Sequence, residues 1–184
     1  MSSPMPGGRR RVDRVLAPGY AEDLAGLPLD EVRARRREAE QEEADLSFLR
    51  RMLHGRMDIV KAEQARRASD GSESVVDHLA EILADPSRST RGLGRHLSVE
   101  PSRVDEHRRI VEQAISDSFI SDVSSRSDTE LAEALVTLQD HEREVSGVRV
   151  RVQQVADAFS GEIARRYKDG SASVDELLAR GPQE

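Results

Sequence analysis

Two long stretches of the chain contain no helix-breaking signal between a clear start and a clear stop. The first covers residues 28–68 and is closed by the Ser-Asp-Gly-Ser cluster of residues 69–72. The second covers residues 127–169 and opens on Ser127, a favourable N-cap with Glu130 three residues further on. At about 1.5 Å per residue, the roughly 38 helical residues of the first stretch would extend about 57 Å. We therefore predict an all-α protein built on two long helices.

The other residues form a tail, a connector and a short C-terminal element. Proline and glycine punctuate residues 1–20, which predicts a disordered N-terminal tail. The connector carries helical apolar patterns over residues 74–84 and 104–123. We expect residues 21–184 to form a single helical domain that comprises coiled-coil helix 1 (28–68), the helical connector (69–126), coiled-coil helix 2 (127–169) and a short C-terminal helix (173–180).

The composition favours solvated helices over a large globular core, because 34% of the residues are charged and only 3% are aromatic. Without cysteine, the chain has no disulfide, thiolate metal site or cysteine nucleophile. No apolar run is long enough for a signal peptide or a membrane span, so we expect a cytoplasmic protein with no membrane contact. The net charge of -7 argues against direct DNA binding and favours a basic protein partner.

A five-residue polar pattern occurs once in each long stretch, and the two copies are 99 residues apart. Steps of three and four residues keep each copy on one helical face, within an arc of about 80°. Polar stripe 1 consists of Glu43, Ser47, Arg50, His54 and Asp58, and polar stripe 2 consists of Glu142, Ser146, Arg149, Gln153 and Asp157.

An apolar stripe lies immediately beside each polar stripe on the helix surface, as expected for the seam of a coiled coil. In the first helix the apolar stripe consists of Leu46, Leu49, Leu53, Met57 and Val60, and in the second of Val145, Val148, Val152, Ala156 and Phe159.

The residue types of the polar stripes suit a guanine nucleotide. A carboxylate can accept hydrogen bonds from N1 and the exocyclic amine of guanine, and an arginine can donate a fork to O6 and N7 or neutralise a phosphate. Two antiparallel copies would form a pseudo-two-fold site for a two-fold symmetric ligand, such as a cyclic dinucleotide of two guanosines.

The pattern Glu-x3-Ser-x2-Arg-x3-Gln-x3-Asp resembles the signature of the RsiG family, actinobacterial anti-sigma factors also known as aerial-mycelium formation proteins. Residues 49–60 are also similar to the family. The resemblance implies an antiparallel coiled coil that holds two molecules of cyclic di-GMP and then sequesters the sporulation sigma factor WhiG. The antiparallel sense comes from the resemblance alone, since a connector of about 60 residues could return the chain in either sense.

The resemblance also assigns roles to the stripe residues. Arg50, Arg149, Asp58 and Asp157 would recognise the nucleotide, and Glu43, Glu142, Ser47, Ser146 and Gln153 would support them. His54 departs from the family pattern, which has Gln at this position. We expect polar stripe 1 to bind less tightly or with some pH dependence, because imidazole lacks the reach of the Gln amide. The sigma factor would meet the acidic surface, for example around Glu38, Glu40, Glu42, Asp140 or Glu144.

Two other interpretations of the chain stay open at this stage. Charged residues at helical spacing usually form a solvated face, so the chain could be a structural coiled coil without a ligand. Residues 94–104 have the rhythm of a helix-turn-helix, although the acidic residues that follow suit DNA poorly. We expect no enzyme and no metal, because there is no Gly-rich phosphate loop and the five histidines lack metal-ligand spacing.

Overall fold

The computed structural model describes residues 4–5, 7–68 and 123–170, and all regular structure in these ranges is helical. The α-helices are α1 (Arg11–Val15), α2 (Leu29–Ala68) and α3 (Asp128–Lys168), and 3-10 turns occupy Leu24–Gly26 and Val123–Ser125. The predicted all-α fold on two long helices is confirmed. Three predictions fall on residues outside the described ranges. They are the helical patterns of the connector (all but Val123), the 94–104 segment and the C-terminal helix.

The ends of the long helices follow from local chemistry. At the start of α3 the Ser127 hydroxyl accepts from the backbone N–H of Glu130 at 3.2 Å, and the Glu130 carboxylate accepts from the N–H of Ser127 at 2.8 Å. This is the predicted capping box. After α3, Gly170 adopts a φ of +77°, a left-handed conformation that favours glycine at a helix end. Acidic residues in the first turns and basic residues in the last turns match the helix dipole.

The described residues form two compact units, and each long helix contributes one half to each unit. The first unit contains residues 44–68 and 123–147. The second contains residues 4–5, 7–43 and 148–170.

In the first unit, the C-terminal half of α2 pairs with the N-terminal half of α3. The end of α2 meets the start of α3, because Arg67 donates to the Asp128 carboxylate at 2.8 Å and to the carbonyl oxygen of Ser124 at 3.2 Å. The two helices therefore run antiparallel here. The buried apolar residues of this unit are Leu46, Leu49, Leu53, Met57, Val60, Leu131, Ala134, Leu138 and Val145.

In the second unit, the start of α2 packs against the end of α3. Val32, Phe159 and Ile163 form a buried cluster, and Tyr20 meets Phe159 edge-on with ring centroids 5.7 Å apart. Arg33 donates a hydrogen bond to the hydroxyl of Tyr167, so the helices are again antiparallel. Across both units, nine of the ten predicted seam residues are buried, and Val148 is half-buried.

The described residues that precede α2, which we call the N-terminal segment, differ from the disordered tail expected for residues 1–20. Helix α1 buries Val12 and Val15, and it is capped by Asp13, which accepts from the backbone N–H groups of Met5 and Arg10. The Arg10 side chain beside this buried carboxylate lowers the pKa of Asp13 to about 2. The segment belongs to the second unit because two buried valines and a satisfied carboxylate stabilise it there.

The segment is also tied to both long helices by hydrogen bonds. The Tyr20 hydroxyl donates to the carboxylate of Glu38 on α2 at 2.7 Å, and Arg14 pairs with the same carboxylate. From α3, the buried Arg166 donates to the carbonyl oxygens of Leu24 at 2.6 Å and Leu27 at 2.8 Å. The second unit is therefore a helix pair with a third layer of chain on it.

Candidate functional site

Four of the predicted stripe residues meet in the first unit, where three of them surround the carboxylate of the fourth, Glu142. Its Oε1 accepts from the Arg50 Nε at 3.0 Å and from the Ser146 hydroxyl at 2.7 Å. The His54 Nε2 lies 3.1 Å from the same oxygen. Arg50 and His54 come from α2, whereas Glu142 and Ser146 come from α3. We call these four residues the Arg50 cluster.

The electrostatics of the Arg50 cluster keep Glu142 ionised. Partial burial by itself would raise the pKa of this carboxyl group, but hydrogen bonds from Ser146, His54 and Arg50 outweigh it and lower the pKa to about 2. The Glu142 side chain is 19% exposed, whereas the Arg50 side chain is 42% exposed. The cluster thus combines a fixed carboxylate with an arginine that reaches solvent.

Three stripe residues converge in the second unit, around Arg149. Its Nη1 donates to the Oε1 of Glu43 at 2.9 Å and to the Oε1 of Gln153 at 3.4 Å. Glu43 comes from α2, and the other two come from α3. Among the described residues, the buried Nε of Arg149 has no hydrogen-bond partner. We call these three residues the Arg149 cluster.

The two clusters are built alike but are bonded differently. In each, the arginine of one polar stripe pairs with the glutamate of the other stripe across the helix pair. However, Glu142 holds Arg50 through Nε, whereas Glu43 holds Arg149 through a terminal amino group. The fourth stripe position also differs, because His54 contacts the carboxylate and Gln153 accepts from the arginine.

Three further predicted site residues belong to the same two stripes. Asp58 is half-buried and lies 3.6 Å from Lys61, one turn further along α2. Asp157 is exposed on α3, and Ser47 is half-buried between Glu43 and Arg50 in sequence. Each aspartate is on the same face as its cluster, since four residues separate it from His54 or Gln153.

Comparison of the sequence with protein-family models identifies the family of this chain. The RsiG-like family model matches residues 18–83 and 117–181, which include both long helices and all ten stripe residues. The chain belongs to the RsiG-like family. Membership points to a regulator of the anti-sigma-factor type. No curated protein matches the chain.

The family match also covers residues 18–28, which precede α2. In this RsiG-like chain those residues include Tyr20, Leu24 and Leu27, which pack on the cluster of Val32, Phe159 and Ile163. Leu24 and Leu27 lie within the predicted helical domain of residues 21–184, whereas Tyr20 lies within the predicted tail.

The cross-helix pairing of arginine with glutamate was missed by the sequence argument. A signal for it exists, because the arginine follows the glutamate by seven residues in both stripes. If the helices are antiparallel and Arg50 faces Glu142, the same register makes Glu43 face Arg149. One pairing therefore predicts the other.

Two further features of the described ranges concern metals and membranes. Residues 4–5, 7–68 and 123–170 contain no group of three or more His, Asp or Glu side chains placed to hold a metal ion. In the same ranges no helix has both the length and the apolar character needed to cross a membrane.

Proposed function

We propose that this RsiG-like chain is a cytoplasmic anti-sigma factor that binds cyclic di-GMP through its two polar stripes and sequesters a WhiG-like sporulation sigma factor. Two nucleotides bind per chain, and the loaded form holds the sigma factor away from transcription. The observation that carries the proposal is the arrangement of Arg50 and Arg149, each partly exposed and each paired with the opposite stripe.

The state of the two arginines supports nucleotide binding. Arg50 gives only its Nε to Glu142, and its two terminal amino groups make no hydrogen bond with the described residues. Such a planar fork matches guanine O6 and N7 or the oxygens of a phosphate. Arg149 has a buried Nε that lacks a partner, so a ligand oxygen placed there would remove an unsatisfied donor.

The aspartates supply the complementary group. Asp58 and Asp157 are the least buried carboxylates of the two stripes. Each can accept from both N1 and the exocyclic amine of guanine, which distinguishes guanine from adenine. A stripe therefore contains one group for each edge of the base.

The exposure of the acidic residues supports a smaller sigma-factor surface than the sequence predicts. Among the acidic residues named above, Glu42 is fully buried beside Arg11, and Glu38 is bonded to Arg14 and Tyr20. Glu40, Asp140 and Glu144 remain exposed. These three are the acidic side chains that a basic promoter-binding region of a sigma factor would meet.

Calorimetric titration with cyclic di-GMP tests the ligand half of the proposal. We expect the wild type to bind about two molecules per chain, and Arg149→Ala to lose that binding because it removes the fork. Arg151→Ala is the matched control, since Arg151 is exposed two residues further along α3 on a different face. Equal binding by the wild type and both variants would contradict the proposal.

A sigma-factor pull-down tests the partner half. The purified WhiG-like factor should be retained by the wild type in cyclic di-GMP and should be lost when the nucleotide is omitted. The RsiG-like chain with Arg149→Ala should retain little factor under either condition. If the free protein gives no heat with the nucleotide, the titration is repeated with the sigma factor present. A second negative result would favour a structural coiled coil.

A further inference from the structure

We infer that Glu142 serves the ligand indirectly, as the positioning residue that holds Arg50 by its Nε and leaves the terminal amino groups for the nucleotide. This inference rests on the proposed function and specifies how one residue of that site works. It assigns Glu142 a role different from that of a direct ligand contact.

The bonds of Glu142 support a positioning role. A single oxygen, Oε1, is shared by Arg50, His54 and Ser146, at 3.0, 3.1 and 2.7 Å. Two of these three groups come from the opposite helix. A carboxylate held in this way is fixed in place, and it fixes the guanidinium in turn, because the Nε–H direction sets the plane of the group.

Exposure separates the carboxylate from the arginine. The Glu142 side chain is 19% exposed and Arg50 is 42% exposed, so an incoming ligand reaches the arginine more easily. An anionic phosphodiester is also repelled by a carboxylate, whereas it is attracted by the guanidinium that the carboxylate holds. Asp58, at 43% exposure, is the better placed carboxylate for a guanine edge.

The Arg149 cluster provides a contrast within the same chain. Glu43 holds Arg149 through Nη1, which belongs to the terminal fork, and Nε is left without a hydrogen-bond partner among the described residues. Glu43 therefore occupies part of the fork that Glu142 leaves open. For this reason the test is made on Glu142 and Arg50.

A double-mutant cycle in cyclic di-GMP affinity tests the inference. Glu142→Gln should weaken binding about tenfold, which corresponds to about 1.4 kcal/mol. In an Arg50→Ala background the same substitution should cause no further loss, because the residue through which Glu142 acts is gone. If Arg50→Ala leaves no measurable heat, the cycle is completed with Arg50→Lys. Glu133→Gln is the control, since Glu133 is exposed on α3 in the first unit.

The outcomes separate this inference from the proposed function. Equal losses from Glu142→Gln in both backgrounds would mean that Glu142 contacts the ligand directly, and they would overturn the inference alone. Unchanged or tighter binding by Glu142→Gln would also overturn it, because the carboxylate would then be unnecessary or a competitor for Arg50. Absence of binding by the wild type, with the sigma factor present as well, would overturn the proposed function and the inference together.

Discussion

The cross-helix pair of Glu43 and Arg149 gives a prediction that needs no ligand. The Nη1 of Arg149 lies 2.9 Å from the Oε1 of Glu43, and the side chains of Glu43 and Arg149 are 28% and 23% exposed. Coulomb's law at this distance gives about 1.4 kcal/mol in water and about 6 kcal/mol at an effective dielectric constant of 20. Ordering and desolvation remove most of the larger value, since exposed pairs measure about 0.2–1 kcal/mol. We expect a coupling energy of about 1–2 kcal/mol, because this pair is mostly buried.

Urea unfolding of a double-mutant cycle measures this coupling directly. The cycle compares the wild type with Glu43→Ala, Arg149→Ala and the double variant, followed by circular dichroism at 222 nm, where helix content dominates the signal. Asp140 and Arg143 form the control pair, because they are 2.8 Å apart on one helix with side chains 56% and 71% exposed. That control should couple by about 0.5 kcal/mol or less. A Glu43–Arg149 coupling no larger than the control would refute the cross-helix pairing.

Four further predictions follow from particular residues. Phe159→Ala should destabilise the protein by about 3–5 kcal/mol in urea unfolding, whereas Phe48→Ala, at 41% exposure, should cost far less. Hydrogen bonds from Arg66 lower the pKa of Glu63 from 4.5 to about 2. The stability that ionised Glu63 gives to the folded state should therefore be complete above about pH 4.5 and lost as the pH falls towards 2. The free energy of unfolding of Glu63→Gln should differ from that of the wild type at pH 6, and the two should converge in acid. Gly147→Ala should raise the melting temperature, because a helix-interior glycine costs about 1 kcal/mol and a Cβ there meets no atom within 4 Å. His54→Gln should tighten cyclic di-GMP binding in a calorimetric titration beside the wild type, because the Gln amide reaches further than imidazole.

The long helices could be predicted from the sequence because their signals are local. Ser127 and Glu130 cap α3 through contacts three residues apart, and the seam residues repeat at helical spacing. Both features require only a helix, and neither depends on how the chain returns. The predicted bounds of 28–68 and 127–169 accordingly agree with α2 and α3 to within one residue.

The N-terminal segment could not be predicted in the same way. Its helix is five residues long and is flanked by proline and glycine, so its intrinsic helical tendency is weak. It is held by tertiary contacts, such as the pairing of Arg14 with Glu38 and the burial of Val12. The pair of Arg14 and Glu38 joins residues 24 positions apart, which no periodic pattern reveals.

The register between the two helices decides which residues the stripe residues contact in the free protein. The sequence of either helix alone does not fix that register. Equal spacing of glutamate and arginine in the two stripes makes the two cross-helix pairs equivalent in residue type. The fourth position breaks this equivalence. His54 adds a donor to the carboxylate of Glu142, whereas Gln153 accepts a hydrogen bond from Arg149. The residue at the fourth position therefore decides which group is held in each cluster, the carboxylate of Glu142 in one and the guanidinium of Arg149 in the other.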